Sequence, residues 1–268
     1  MIKDITIGQY FPGESVIHRA DPRVKIILTF VFMIVIFLIY NYTGLIMLSL
    51  FTLLTIIISG IPLGYTLKGL KPVLVIVIFA AVVNLFFVKE GKILFEYGFI
   101  HITYPGVERA VKMTLRLLLL ITGASLLTLT TTPILLTDAI EKLMKPLSKI
   151  GVPAHEIAMM MTIALRFIPT LLEETDKIMK AQAARGADFD TGNLVQKAKS
   201  FVPVLVPLFV SAFRRADELA IAMEARCYRG SVGRTRMKQL KLGKIDLEIS
   251  AVVGVFIGVL LYLQYFKG

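Results

Sequence analysis

The chain has 268 residues, of which 56% are hydrophobic and 18% are charged. Soluble domains are on average about 45–50% apolar and about 25% charged, so this composition excludes an ordinary soluble protein and indicates an integral membrane protein. A single cysteine, Cys227, and three scattered histidines exclude a disulfide framework and give no zinc-ligand spacing. The first residues lack the pattern of a cleaved signal peptide, so the first spanning helix is expected to direct insertion.

The apolar segments predict the membrane helices. A spanning helix needs about 20 predominantly apolar residues, with about 17–25 tolerated. Five segments satisfy this requirement: 24–40, 44–60, 72–88, 113–132 and 245–266. Because only Asn41, Tyr42 and Thr43 separate the first two, they are predicted to form a tight helical hairpin. Arg116, near one end of the fourth segment, is expected to extend its side chain to the membrane interface.

The distribution of Lys and Arg predicts the orientation in the membrane. Basic residues gather between residues 133 and 244, and cytoplasmic loops carry the excess of basic residues. The prediction is therefore five crossings, with the N-terminus inside and the C-terminus outside. This arrangement, together with attraction to anionic membrane lipid, explains the net charge of +11 without a nucleic-acid partner.

The predicted fold class is an all-α integral membrane protein with about five transmembrane helices and long amphipathic cytoplasmic helices. Residues 1–132 are predicted to carry four spans, residues 133–244 to form the cytoplasmic or interfacial region, and residues 245–268 to form the last span. Within the middle region, Thr132-Pro133 starts an amphipathic helix that is expected to end near residues 150–153.

Two further helices are predicted in the middle region. One runs from Ala154 to Arg185 with a kink at Pro169, and the other carries the same seven-residue spacing up to Arg226. The residues on the apolar stripes of the two helices are Ile157, Met161, Ala164, Ile168, Leu171, Leu205, Ala212 and Leu219. The segment 201–210 is interpreted as facing a partner or the interface, with burial inside the protein as the equal alternative.

Both long helices carry the same pattern near their C-terminal ends. It is an Asp, an Ala five residues later, and then Ala-Arg: Asp176, Ala181, Ala184 and Arg185 in the first helix, and Asp217, Ala222, Ala225 and Arg226 in the second. An Arg in the last turn followed by Gly186 is adequately explained as a helix cap. Repeated at two helix ends, the pattern also suits partner binding, because small residues permit close approach and a guanidinium can contact a carboxylate with two hydrogen bonds.

Three stretches carry a family resemblance: DPRVKI at 21–26, ALRFIPTLLEETDKIMKAQAARG at 164–186 and ADELAIAMEARCYRG at 216–230. Over essentially its whole length the chain resembles the transmembrane T component of energy-coupling factor transporters, the ABC-type importers of vitamins and micronutrients in prokaryotes. The resemblance implies a multi-pass protein of the prokaryotic cell membrane. It also implies three partners: two ATPase subunits, into which the long "coupling helices" dock, and a membrane S component that captures the substrate.

The resemblance also assigns site residues. Ala184, Arg185 and Gly186 would engage one ATPase, and Ala225, Arg226 and Cys227 the other. The apolar stripes would pack on the S component and on each other. Cys227 stands where the family usually has Gly, so the second helix could run on to Gly230 and its end is left open.

The chain itself is predicted to be a non-catalytic subunit. It has no P-loop and no catalytic motif, so no cofactor or metal is expected, and ATP would be bound by the partner ATPases. Two other classes of function stay open: a membrane enzyme acting on a phosphorylated lipid, and a self-contained secondary carrier. The sequence does not encode the transported substrate, the subunit ratio, whether the S component is shared, or which Arg docks which ATPase.

Overall fold

The structure is a computed structural model that describes residues 10–87, 93–97, 100–189, 193–230 and 240–266. The α-helices in chain order are α1 (Val16–Arg19), α2 (Pro22–Leu38), α3 (Tyr42–Ser59), α4 (Leu63–Phe87), α5 (Tyr104–Thr130), α6 (Pro133–Met144), α7 (Ala154–Ala184), α8 (Leu194–Ala225) and α9 (Lys244–Phe266). A 3₁₀ helix, Lys145–Ile150, follows α6. Strands β1 (Ile93–Tyr97) and β2 (Ile100–Thr103) pair antiparallel between α4 and α5. The all-α membrane class is confirmed, and the β-hairpin is an addition that the sequence pattern did not predict.

Six helices of the described residues are long and apolar enough to cross a membrane. They are Tyr42–Ser59, Gly69–Phe87, Tyr104–Thr130, Ala154–Ala184, Val195–Ala225 and Lys244–Tyr265. Helix α2, with 17 residues, lies at the lower limit of about 17 residues for a span. Length and composition therefore identify four of the five predicted spans, 44–60, 72–88, 113–132 and 245–266, and leave the predicted span 24–40 at this limit. They do not distinguish these spans from α7 and α8.

The described residues fall into two compact units. The first unit comprises residues 10–139 and 240–266, and the second comprises residues 140–230. The first unit holds α1 to α5 and α9, and the second holds α7 and α8, while α6 includes the boundary at Ala139.

The core of the first unit joins four of its helices. Its buried residues are Val35, Ile36, Ile39, Leu45, Leu48, Leu119 and Leu260, which belong to α2 and its C-cap, α3, α5 and α9. The connection between α2 and α3 is only residues 39–41, which confirms the predicted helical hairpin. Gly44 allows this close turn, because a Cβ there would lie 2.5 Å from the side chain of Ile39.

A buried polar network holds the base of the first unit together. The Asp246 carboxylate accepts hydrogen bonds from the backbone N–H groups of Asp21 (2.6 Å) and Gly243 (2.7 Å). The ammonium group of Lys25 donates to the backbone carbonyl of Thr130 (3.0 Å) and to the hydroxyl of Thr131 (3.3 Å). Buried charges are stable only when they are paired and hydrogen-bonded, so this network fixes the start of α2 against the end of α5 and the start of α9.

Candidate functional site

Helices α7 and α8 of the second unit form an antiparallel pair. Near the C-terminal end of α7, the side-chain amide of Gln182 donates to the backbone carbonyl of Pro203, early in α8 (3.4 Å). Further along the pair, Glu174 of α7 accepts a hydrogen bond from Ser211 of α8 (2.7 Å). From the first contact to the second, the residue number decreases along α7, from 182 to 174, and increases along α8, from 203 to 211. The chain directions of the two helices are therefore opposite, and their C-terminal ends lie at opposite ends of the pair.

The antiparallel arrangement separates the two Ala-Arg motifs. Helix α8 continues from Pro203, beside the end of α7, to Arg226 at its own end. At a rise of 1.5 Å per residue, these 23 residues correspond to about 35 Å. The predicted docking residues therefore form two sites at opposite ends of one helical pair, and they do not converge into a single pocket.

An ion pair joins the two helices between these ends. The Nη2 atom of Arg215 in α8 donates to a carboxylate oxygen of Glu174 in α7 at 2.7 Å, while Ser211 donates to the other oxygen. Both charged side chains are partly shielded from solvent, with exposed fractions of 36% and 23%. Charge-assisted hydrogen bonds of this geometry are stronger than neutral ones, so α7 and α8 are held in a fixed register.

The α7 end is a Schellman motif. The backbone N–H of Gly186 donates to the carbonyl of Ala183 (3.0 Å), and that of Ala187 donates to the carbonyl of Gln182 (3.0 Å). Gly186 has φ +90°, the left-handed conformation that this motif requires and that glycine adopts at little cost. The predicted cap at Gly186 is confirmed.

The α8 end has the same hydrogen bonds at equivalent positions. The backbone N–H of Cys227 donates to the carbonyl of Glu224 (2.8 Å), and that of Tyr228 donates to the carbonyl of Met223 (3.0 Å). Cys227 has φ +57°, a positive value that no other non-glycine residue among those described shares. The expectation that the helix could run on to Gly230 is wrong: α8 ends at Ala225, because Cys227 takes the left-handed conformation that Gly186 takes in α7.

The six predicted docking residues are all exposed. They are Ala184, Arg185, Gly186, Ala225, Arg226 and Cys227. Within the part of the chain that the structure describes, neither guanidinium has a hydrogen bond or an ion pair. The two arginines are thus unlike Arg215, whose guanidinium is bound to Glu174.

The surroundings of the two ends differ. A cavity of about 560 Å³ adjoins the α8 end, lined by Arg226 and Tyr228 together with Met159 and Met223. The hydroxyl of Tyr228 donates to the sulfur atom of Met159 at 3.0 Å, which ties the residues after α8 to the beginning of α7. Methionine side chains are flexible and adapt to different partners, so this end offers a deformable surface beside the arginine.

The residues predicted to line the packing stripes take two kinds of position. Those that are half-buried are Ile157, Ile168, Leu171, Ala212 and Leu219, and those that are exposed are Met161, Ala164 and Leu205. In α8 the buried residues are Val204 and Ser211, each one residue before Leu205 and Ala212. One residue rotates the direction of a side chain by about 100° in a helix, so the buried face of α8 is turned away from the predicted stripe.

An exposed apolar stripe on α8 was not predicted residue by residue. It consists of Val202, Val206, Phe209 and Phe213, which have exposed fractions between 51% and 69%. Their spacing of four, three and four residues places them on one face of the helix. Three of these residues belong to segment 201–210, in which Val204 alone is buried. Because this segment is hydrophobic at every position, its sequence did not show which face of the helix would be exposed.

The residues that the structure describes provide no candidate metal site. Among the described residues, no group of three or more His, Cys, Asp or Glu side chains could hold a metal ion. The features that remain are two exposed arginines, the small residues that precede them, and apolar helix faces.

The sequence is similar to known proteins over nearly its whole length. The family model described as "CbiQ: Cobalt transport protein" matches residues 13–238. The chain is 63% identical to the energy-coupling factor transporter transmembrane protein EcfT of Ruminiclostridium cellulolyticum, over 99% of both chains. It is 58% identical to the EcfT protein of Thermosediminibacter oceani, over 95% of this chain and 96% of the relative. It is also 46% identical to the EcfT protein of Bacillus subtilis, over 98% of this chain and all of the relative.

Proposed function

This chain belongs to the family of energy-coupling factor transporter transmembrane proteins, and we propose that it transmits ATP-driven motion of two ATPase subunits to a membrane S component that binds the substrate. In this role the chain catalyses no reaction. Its partners hydrolyse ATP and capture a vitamin or micronutrient, and the chain connects the two events mechanically.

The observation that supports this proposal most strongly is the pair of matched helix ends. Each end has the same Schellman hydrogen bonds, an exposed arginine without a partner among the described residues, and exposed alanines one and four residues earlier. If these ends served only as helix caps, the same arrangement of arginine and alanines would not be needed at both of them. Two equivalent binding ends, about 35 Å apart along the helical pair, suit two separate subunits that move relative to one another.

The chemistry of each end suits an interface. Ala181 and Ala184, and equally Ala222 and Ala225, leave room for the surface of a partner to approach the helix backbone. The guanidinium can then donate two parallel hydrogen bonds to a carboxylate. Arginines that become desolvated in this way contribute disproportionately to binding energy.

Transmission between the ends depends on the stiffness of the pair. A force applied at Arg226 acts on α8. The Glu174–Arg215 ion pair transmits this force to α7, because it opposes sliding of the two helices past one another. The two long helices would thereby move as connected levers when the ATPases close and open.

The apolar surfaces are proposed to bind the S component. The stripe Val202, Val206, Phe209 and Phe213 is exposed, and the predicted residues Met161, Ala164 and Leu205 are exposed as well. Exposed apolar patches of this kind mark sites of contact with a protein partner or a membrane. A contact of this kind depends on shape and hydrophobicity, so it would not by itself encode which vitamin or micronutrient is transported.

The proposed topology has the N-terminus in the cytoplasm and the C-terminus outside a prokaryotic cell membrane. It follows from the basic residues of the region 133–244 and the bias of cytoplasmic loops towards Lys and Arg. In this topology both arginine ends face the compartment that contains ATP.

The test is affinity purification of the tagged chain from its native membrane. The wild type is compared with Arg185→Glu and Arg226→Glu, and with Arg166→Glu as the control, since Arg166 is exposed on α7 but lies away from both ends. We expect two ATPases and a small membrane protein to accompany the wild type and the control, and each end variant to lose ATPase. Recovery of the ATPases unchanged in both end variants would overturn the proposal.

A further inference from the structure

A cavity of about 140 Å³ lies inside the first unit, and the coupling role gives it no task. Its walls come from α1, α2, α3, α5 and α9, and it is partly open to the surface of the unit. Most of the lining surface is apolar, and it includes Phe32 of α2, Phe51 of α3 and Leu126 of α5. The cavity therefore resembles a site for an apolar ligand, which is usually concave and lined by hydrophobic and aromatic side chains.

The hydrogen-bond donors of the lining are almost all in use. The polar lining residues are Lys25, Thr29, Thr52, Thr55 and Thr130. The hydroxyls of Thr52, Thr55 and Thr130 each donate to the backbone carbonyl four residues earlier, at 2.8, 2.8 and 2.7 Å. The ammonium group of Lys25 has three donors, and two backbone carbonyls and a threonine hydroxyl accept them at 3.0 to 3.3 Å. Only Thr29 keeps a free donor among the described lining residues. A buried water makes about three hydrogen bonds, so the lining favours an apolar occupant over water.

Contacts among the helices hold the walls of the cavity in place. A Cβ atom at Gly123 would lie 2.9 Å from the ring of Phe32, so this ring already rests against the backbone of α5. The ring of Phe51 stacks on that of Phe256 in α9, with 4.2 Å between the centroids and 14° between the planes. The hydrogen bonds of Lys25 fix its ammonium group in the same way. Neither the rings nor the lysine can turn into the space without losing these contacts, so the cavity is preformed.

From these features we propose that the cavity binds a segment of the acyl chain of a membrane lipid. A dry apolar cavity of about 150 Å³ is large enough to bind benzene, so the space here suits a segment of about six carbon atoms. Helices α2, α3, α5 and α9 correspond to predicted membrane spans. The molecules that surround the opening are therefore lipids, whose acyl chains have the apolar chemistry of the lining.

The gain on binding comes from packing. Lipid chains are as apolar as the lining, so transfer from the bilayer into the cavity brings no hydrophobic gain. The atoms that line an empty cavity lack contact partners on one side, and each missing pair forfeits a small van der Waals attraction. A chain segment that fills the space restores these contacts along all the surrounding helices, and it needs no hydrogen bond from the lining.

The experiment maps where acyl chains touch the full-length chain. The protein is reconstituted in phosphatidylcholine vesicles that contain a small fraction of phosphatidylcholine with a photoreactive diazirine in one acyl chain. After irradiation, mass spectrometry identifies the crosslinked residues. Thr52 and Leu126 are the cavity reporters, because they line the cavity and are only 5% and 9% exposed. Ile57 of α3 is 62% exposed and reports contact with the surrounding lipid.

Two matched pairs of variants test whether the crosslinks come from the cavity. Leu28→Phe and Val253→Phe add a ring inside it, because both residues line the cavity. Ile27→Phe and Val252→Phe introduce the same ring one residue earlier, where the side chains are 49% and 62% exposed and do not line the cavity. Thermal unfolding of each variant shows that it is folded.

We expect crosslinks at Thr52 and Leu126 in the wild type and in both outer variants. In Leu28→Phe and Val253→Phe the yield at these reporters relative to Ile57 should fall by about tenfold or more, because the added ring takes the space of the chain. Crosslinks in the wild type at Ile57 but at neither reporter would overturn the site, and so would unchanged reporter yields in a folded cavity variant. The proposal does not depend on the coupling role, since neither ATPase nor S component takes part in the measurement.

Discussion

The two ends of the α7–α8 pair are alike in backbone and different in sequence. After Ala184-Arg185 the left-handed position is occupied by Gly186, and after Ala225-Arg226 it is occupied by Cys227, yet the hydrogen bonds that close the two helices are the same. A non-glycine residue in this conformation costs about 1–2 kcal/mol. The α8 end therefore keeps the geometry of the α7 end against a local backbone preference, and Arg226 takes the same C-cap position on its helix as Arg185.

The largest expected effect comes from reversing the charges at both ends. Arg185→Glu and Arg226→Glu should each weaken association with the ATPases by about 2–5 kcal/mol, because a reversed charge in a desolvated interface is unpaired. Since the ends lie far apart, the effects in the double variant should add to within about 0.5 kcal/mol. The binding free energy of the ATPases is measured by titration for the wild type, the two single variants and the double variant. Strong non-additivity of the losses would indicate one shared site in place of two.

A smaller effect is expected from the ion pair between the two ends. Glu174→Gln removes the carboxylate charge that faces Arg215 and should lower the free energy of unfolding by about 1 kcal/mol, a value limited by partial exposure. Asp176→Asn is the matched control, because Asp176 pairs with Lys180 on the exposed surface of the same helix. Chemical denaturation gives the stability, and substrate uptake per ATP hydrolysed gives the coupling, which should decrease in Glu174→Gln alone. Equal uptake per ATP in the wild type and Glu174→Gln would contradict the lever role of this contact.

The smallest effects come from exchanging the residues at the left-handed positions. Gly186→Ala should destabilise the chain by about 1 kcal/mol, because alanine is strained at φ +90°. Cys227→Gly should have the opposite sign and stabilise it by about 0.5 kcal/mol, after the greater flexibility of glycine in the unfolded chain is subtracted. Thermal unfolding of both variants beside the wild type checks the signs. Destabilisation by Cys227→Gly would show that the cysteine side chain contributes packing that outweighs its backbone strain.

Long apolar runs and periodicity were sufficient to predict that the long helices exist, but two of the predicted starts were wrong. Helices α4 and α5 begin at Leu63 and Tyr104, nine residues before the predicted 72 and 113, because polar and charged residues in their first turns interrupt the apolar runs. The predicted boundary of α7 at Ala154 and Arg185 agrees with the structure within one residue. The end of α8 could not be predicted in this way, since no local propensity places a cysteine in the left-handed conformation.

Contacts between distant parts of the chain were also beyond the sequence pattern. The motif DPRVKI was recognised as a family signature, but its hydrogen-bond partners lie more than 100 residues away in the sequence. The ammonium group of Lys25 donates to the carbonyl of Thr130, and the backbone N–H of Asp21 donates to the carboxylate of Asp246. Arg116 was expected simply to reach the interface, and the structure adds that it caps the end of α2 through the carbonyl of Ile39. In α8 every position from 201 to 210 is apolar, including Pro203 and Pro207. Hydrophobicity alone therefore did not indicate that Val204 is buried while Val206 and Phe209 are exposed.

The central claim is that the two helix ends hold two different ATPases, and site-specific photo-crosslinking in the assembled transporter tests it most directly. A photoreactive amino acid replaces Ala183 or Glu224, which are exposed and lie two residues before Arg185 and Arg226, while Glu173 in the middle of α7 serves as the control position. The account predicts that positions 183 and 224 each crosslink to a different ATPase subunit and that position 173 crosslinks to neither. Crosslinks from both ends to the same subunit, or to no ATPase, would contradict it.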